Sequence, residues 1–153
     1  MEVCQTILEL QEERAVCYNA LEQAFQEFVR NEATLSSAEQ YMRVCQQVKN
    51  HLESLDERLA NLKSSVSYEH SIYEWIEQLE QLEKYKLETT VSVQKIRKDM
   101  KLFKDRLDGL ELAEQQAILS RQYLTLSQVI EDIDFLLMEF RNEKEVDILD
   151  KTE

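Results

Sequence analysis

The chain reads as all-α: an elongated antiparallel helical bundle, or coiled coil, of four long helices. Three observations predict this. With no Pro and a single Gly in 153 residues, almost nothing is available for β-turns or Gly-rich loops. Glu, Gln, Leu, Lys and Arg dominate, the composition of long helices. Apolar residues recur three and four apart over long stretches, a spacing that only a helix presents as one face.

The first helix is expected from about Val3 to Arg30. Val3, Ile7, Leu10, Arg14, Cys17, Leu21, Ala24 and Phe28 form its seam, widened by Tyr18 and Phe25. Arg14 interrupts it. A guanidinium on a buried seam is costly unless it meets a carboxylate or carbonyls, so a partner on another helix is expected. Asn31 to Ser37 reads as a connector, and Ser36 with Glu39 as a capping box opening the second helix.

That helix, from Ser37 to Lys63, carries Tyr41, Val44, Val48, Leu52, Leu55, Leu59 and Leu62 on one face. The short connector makes helices one and two an antiparallel hairpin. Ser64 to His70 breaks the pattern, and Ser71 with Glu74 reads as a second capping box. The third helix then follows from Ile72 to Leu110, about 55 Å long at 1.5 Å per residue. Its seam is Ile72, Trp75, Leu79, Leu82, Thr89, Val93, Ile96, Met100, Phe103, Leu107 and Leu110, with Lys86 in the one missing place. Tyr68, Tyr73 and Trp75 gather at its start, where aromatics plug a bundle end or anchor a partner.

Between Leu110 and Leu112 the stripe steps by two residues, so the apolar face swings by about 200°. A tight turn or sharp kink at Asp108–Gly109 follows, with Asp108 and Glu111 as a third capping box. The fourth helix is expected from Leu110 to Arg141, with a stripe of Leu112, Leu119, Tyr123, Leu126, Ile130, Ile133, Leu137 and Phe140. The alternative leaves helices three and four nearly continuous, one of them an open arm that implies a homodimer. Asn142 to Glu153 is acidic and weakly patterned, the signature of a flexible tail.

Eighteen basic residues against 31 acidic give a net charge of −13, which argues against non-specific nucleic-acid binding. The balance is uneven. Lys84 to Arg106 holds eight basic residues and three acids, whereas Glu111 to Glu153 holds eleven acids and four bases. The plain reading of the basic stretch is intramolecular, facing acidic neighbours or water. The sharper one is an acidic partner or a phosphate-bearing ligand.

Chemistry is scarce in the sequence. One Gly rules out a P-loop, a dinucleotide-binding loop and a nucleophile elbow. His51 and His70 lie on different elements, His51 reading as a helix-surface residue, and the Glu-x-x-His of a di-iron bundle is absent. No enzyme, metal or cofactor is expected. Cys4, Cys17 and Cys45 form an odd set without CxxC, which points to free thiols in a reducing compartment. The first residues carry early acids and no basic region, unlike a signal peptide, and no apolar run approaches a membrane span. The expected setting is intracellular, nucleus or cytoplasm.

Two stretches resemble a known family. Leu8 to Val29 presents Leu10, Gln11, Arg14, Ala15, Tyr18, Leu21, Glu22, Phe25 and Phe28 in the order found in the opening helix of the DNA-repair family required-for-excision 1-B (REX1-B). Leu82 to Lys98 is similar to a later helix of that family through Glu83, Lys86, Leu87, Thr89 or Thr90, Gln94 and Arg97. The resemblance spans Ile7 to Lys98, and a polar residue on the seam marks both stretches: Arg14 and Lys86. It implies a role in DNA excision repair without catalytic residues. It also divides the chain into a three-helix REX1-B-like region at 1–110, an added helix packed on it at 111–141, and the acidic tail at 142–153.

The interface candidates are therefore Leu10, Gln11, Arg14, Tyr18, Glu22, Phe25, Glu83, Lys86, Thr90, Gln94 and Arg97. Arg14 and Lys86 are expected between helices one and three, paired with Glu83, Glu80 or Glu22. The function expected is a non-enzymatic repair module that docks proteins through helix faces. The competing readings are a coiled-coil scaffold unrelated to repair and, last, direct DNA binding through Lys84 to Arg106.

Overall fold

A computed structural model of the chain describes residues 2–31, 35–103 and 105–152, and the side chains of all of these except 35 and 144–152. Four helices make up the fold: α1 (Glu2–Arg30), α2 (Leu35–Ser64), α3 (Ser71–Leu102) and α4 (Gly109–Thr152). The all-α expectation holds, and no strand occurs among the described residues.

Helices α1 and α2 pack along each other as one hairpin, α3 and α4 as a second, and α4 closes against α1. The fourth seam, α2 against α3, packs sparsely, and α1 and α3 meet only across the bundle diagonal. One core fills the interior. It is built from Ile7, Leu10 and Leu21 of α1, Leu52, Leu55 and Leu59 of α2, Ile72, Ile76 and Leu79 of α3, and Val129, Ile133 and Phe140 of α4. At about 1.5–3 kcal/mol per buried aliphatic or aromatic side chain, this burial dominates the stability of the fold. Phe25, Phe28 and Tyr41 form a smaller cluster at the far end, with Phe25 edge-on to Tyr41 at 5.7 Å between ring centres.

The expected helix boundaries shift at four places. α2 begins at Leu35, so Ser36 lies inside it and does not cap it. α3 is capped by His70 and not by Ser71: His70 Nδ1 accepts the Ile72 N–H at 3.1 Å. α3 also stops at Leu102 and does not run to Leu110. By that level α1, which runs parallel to α3, has ended at Arg30, and a seam with nothing to cover it gains nothing by staying helical. The chain turns at Phe103 and 105–108, with the Phe103 carbonyl accepting the Arg106 and Leu107 N–H groups.

Asp108 then caps α4, its Oδ1 accepting the Glu111 N–H at 2.7 Å, so the third capping residue is where the sequence placed it. Gly109 is the first residue of α4 rather than the turn itself. The break is a six-residue connection, and helices three and four are not continuous. At its other end α4 does not finish at Arg141 but stays helical to Thr152.

The buried stripe of α4 is Val129, Ile133, Leu136, Leu137 and Phe140: Ile133, Leu137 and Phe140 are buried as expected, Leu112, Leu119 and Leu126 are half-buried, and Tyr123 and Ile130 are exposed. Leu124, Phe135 and Met138 also point outward, a second apolar face on the same helix. In α3, Ile96 and Met100 are half-buried while Leu102 and Phe103 are exposed. Tyr68, 75% exposed, plugs nothing, whereas Trp75 meets Phe140 edge-on at 5.6 Å and joins α3 to α4.

Candidate functional site

Because α1 and α3 run parallel across the bundle, residues about seventy-two apart face each other, and the two sequence stretches singled out above become one polar belt. Gln11 Nε2 donates to Glu83 Oε1 at 2.8 Å. Arg14 Nη1 lies 3.9 Å from Glu83 Oε2, and its Nη2 lies 2.8 Å from Asp56 Oδ1 of α2. The latter is an ion pair whose N–H is not aligned on the oxygen, since Arg14 Nη2 makes no hydrogen bond. Arg14 and Glu83 are both buried, whereas Asp56 reaches in from the rim with 57% of its side chain exposed.

Further along, Lys86 Nζ sits 4.2 Å from the centre of the Tyr18 ring. The Arg97 guanidinium lies 4.2 Å from the centre of the Phe25 ring and pairs with Glu22 at 3.2 Å. Tyr41 O–H donates to the buried Gln94 Oε1 and fastens α2 to the same line. Burial, with Glu83 adding to it, holds the Tyr18 phenol above its ordinary ionisation range. Burial does the same for Tyr41, helped by a contact with Cys45.

Of the candidates, Gln11, Arg14, Tyr18, Glu22, Phe25, Glu83, Lys86, Gln94 and Arg97 are brought together in this belt. Leu10 is fully in the core, and Thr90 is half-buried beside a turn whose hydroxyl bond, to the Tyr85 carbonyl at 2.8 Å, is made by Thr89. Of the acids expected to pair with Arg14 and Lys86, Glu83 meets Arg14. Glu22 is taken by Arg97, and Glu80 joins Lys63 at 2.7 Å, which raises the Lys63 pKa through that hydrogen bond. Asp56 was missed: it flanks the α2 stripe between Leu55 and Leu59, and nothing in its spacing marks it as the counter-ion of Arg14.

The belt is not fully satisfied. Among the described residues, Arg14 Nε, Glu83 Oε2 and Gln11 Oε1 are buried without a hydrogen-bond partner. Two small openings of about 350 and 290 Å³ have Arg14 and Glu83 in their lining, one on either side of the pair.

Two larger grooves flank α3. Between α3 and α4 an opening of about 820 Å³ is floored by Trp75, Leu82 and Leu136, with the exposed Phe135 at its edge. Its rim is acidic: Glu74, Glu77, Asp132 and Glu139. The open α2–α3 seam forms a groove of about 700 Å³ floored by Leu21, Val48, Leu52 and Leu87. Lys49, Lys95 and Lys98 stand on its rim, with Glu88 the acid among them. The basic stretch of α3 is thus divided: Lys86 and Arg97 turn inward to the belt, Lys95 and Lys98 outward to the groove.

Among the described residues, no group of three or more His, Cys, Asp or Glu is placed to hold a metal ion. His51 is exposed on α2, and Cys17 and Cys45 are free thiols. No described helix is long and apolar enough to cross a membrane.

An all-helical bundle whose two sequence signatures meet as one internal polar belt defines the class of protein. The chain belongs to the DNA repair REX1-B family: the family model matches residues 2–97, more than half of the chain and every residue of the belt that lies on α1, α2 and α3. The match ends within α3, so α4 lies outside it. Neither the curated proteins nor the solved structures give a match.

Proposed function

We propose that this protein acts in DNA excision repair as a non-enzymatic docking module, in the nucleus or cytoplasm, that binds other proteins through its helix faces. The observation that carries this reading is the pair of open apolar grooves flanking α3, with floors drawn from the same helices that build the core. Buried apolar floors with polar rims are how protein partners are held. The belt supports it indirectly. Arg14 and Glu83 are engaged with each other, with Gln11 and with Asp56, an arrangement that sets helix register and offers no nucleophile or base to a substrate.

Direct DNA binding ranks below protein docking. Of the basic stretch, Lys86 and Arg97 are committed to aromatic rings and Glu22, and the chain as a whole carries −13. The scaffold reading draws on one specific feature, the outward apolar face of α4 at Leu124, Phe135 and Met138. Light scattering separates the two, since a monomer at micromolar concentration favours the docking module.

Deleting the protein from cells that carry it should slow the removal of ultraviolet photoproducts, and the wild-type chain should restore the rate. In the same cells, amine crosslinks from Lys49, Lys95 or Lys98 to a second protein should increase after irradiation. Photoproduct removal at the normal rate in the deletion would end this reading.

A further inference from the structure

We infer that the open α2–α3 seam takes an acidic amphipathic helix of a partner protein as a fifth helix of the bundle. This deepens the docking function proposed above and rests on it. In a four-helix ring each helix normally covers two neighbours. Here three seams are closed and the fourth is held apart, spanned at one end by the Lys63–Glu80 pair and at the other by the Tyr41–Gln94 hydrogen bond.

The groove includes the Tyr41–Gln94 bond in its lining and runs from Tyr41 to Leu52 on α2 and from Leu87 to Lys98 on α3. Twelve residues on each side, eleven rises of 1.5 Å, amount to about 16 Å, the length of three helical turns. Its floor includes core residues, Leu21 and Leu52, that the seam leaves reachable. Met42 and Val91, 60% and 54% exposed, face each other across its mouth. An occupant with apolar residues at i, i+3 or i+4, and i+7 would cover them, the usual mode of a helix in a groove.

The rim decides the sign of the occupant's charge. On a chain with a net charge of −13, the mouth of this groove carries Lys49, Lys95 and Lys98 against Glu88. Their ammonium groups are placed to meet carboxylates flanking the apolar stripe of the incoming helix, and they would repel a basic one. The α3–α4 groove, with four acids on its rim, has the opposite sign, so the two sides of α3 discriminate between partners.

The test uses the full chain and a fluorescein-labelled, hydrocarbon-stapled helix of about three turns with a Leu stripe flanked by Glu. A second probe replaces each Glu by Lys. Anisotropy should show saturable binding of the Glu probe, at least tenfold tighter than the Lys probe. Lys95→Glu with Lys98→Glu should reverse that preference, and Val91→Glu should weaken the Glu probe at least tenfold. All three substitutions lie at the groove mouth, and an unchanged far-ultraviolet spectrum verifies the fold.

Cys45 lines the groove and gives a local readout, so bound Glu probe should slow its alkylation by iodoacetamide several-fold, measured by peptide mass. Absence of saturable binding, a preference indifferent to the lysine reversals, or unprotected Cys45 would overturn the inference. So would displacement of the probe by a 20-base-pair duplex, which makes the rim a phosphate surface. Protection of Cys45 that depends only on protein concentration would assign the groove to a second copy and also overturn it. Probe failure alongside successful rescue of photoproduct removal removes this groove assignment alone. Failed rescue removes the repair reading and leaves the probe result to decide the groove.

Discussion

Arg14→Leu separates a stabilising ion pair from one that merely fixes helix register. The substitution leaves Glu83 buried at 2% exposure with one hydrogen bond, from Gln11, and no cation. Removing one partner of a buried pair costs about 3–5 kcal/mol because the remaining charge stays desolvated. Asp56 adds little to that figure, since its half-exposed carboxylate returns to water.

Against a total stability of about 5–15 kcal/mol, the single variant would be marginal. The double variant Arg14→Leu/Glu83→Leu behaves differently. It removes both charges and fills the space with aliphatic carbon, and replacing a buried pair in this way is neutral or stabilising by about 1–4 kcal/mol. Gln11 loses its acceptor, but it is only half-buried and lines a small opening.

Urea unfolding followed by circular dichroism at 222 nm should therefore place the double variant no more than about 1.5 kcal/mol below wild type and well above the single. A single variant that loses under about 1 kcal/mol, or a double no better than the single, would refute the belt as an internal, charge-balanced unit.

Three further outcomes follow from named contacts. Phe140→Ala removes a fully buried ring edge-on to Trp75 and should cost about 3–5 kcal/mol in the same urea assay. A loss under about 1 kcal/mol would mean that α4 is not part of the cooperative unit. Gly109→Ala should raise stability by about 0.4–1 kcal/mol, because a Cβ at the first position of α4 meets nothing within 4 Å while the unfolded chain becomes stiffer. A loss of stability by calorimetry would contradict this.

Burial raises the Cys17 thiol and the Tyr18 and Tyr41 phenols. Each keeps its proton in the fold at pH values where the unfolded chain has lost it, so their contribution is complete below the unfolded pKa and falls as pH rises. The melting temperature should decline from about pH 8.5 and more steeply above about pH 10, where free thiols and then phenols ionise. An unchanged value up to pH 11 would exclude their burial.

Helix class, helix number and most of the core were legible because seams at a spacing of three and four have one explanation. The stripes of α1 and α2 are buried as read, from Ile7 to Phe28 and from Tyr41 to Leu59. The belt was half legible. Arg14 on a seam announces that it needs an anion, and the resemblance paired its stretch with that of Lys86. Which acid answers depends on how three helices meet, so Asp56 stayed hidden and Glu80 went to Lys63. The α4 stripe was legible at Ile133, Leu137 and Phe140, while Tyr123 and Ile130 are exposed and Val129 and Leu136 buried in their stead, because periodicity does not say where on a wide apolar helix the neighbour sits.

The sequence by itself determined four amphipathic helices, the break before Gly109 and a buried cation in α1, because each follows from backbone period, capping chemistry and the cost of desolvating charge. Only the tertiary structure decided that α3 ends at Leu102, that Asp56 of α2 reaches Arg14, and that the α2–α3 seam stays open. Those outcomes depend on where neighbouring helices stop and how far apart their axes lie, and no local pattern of residues encodes either distance.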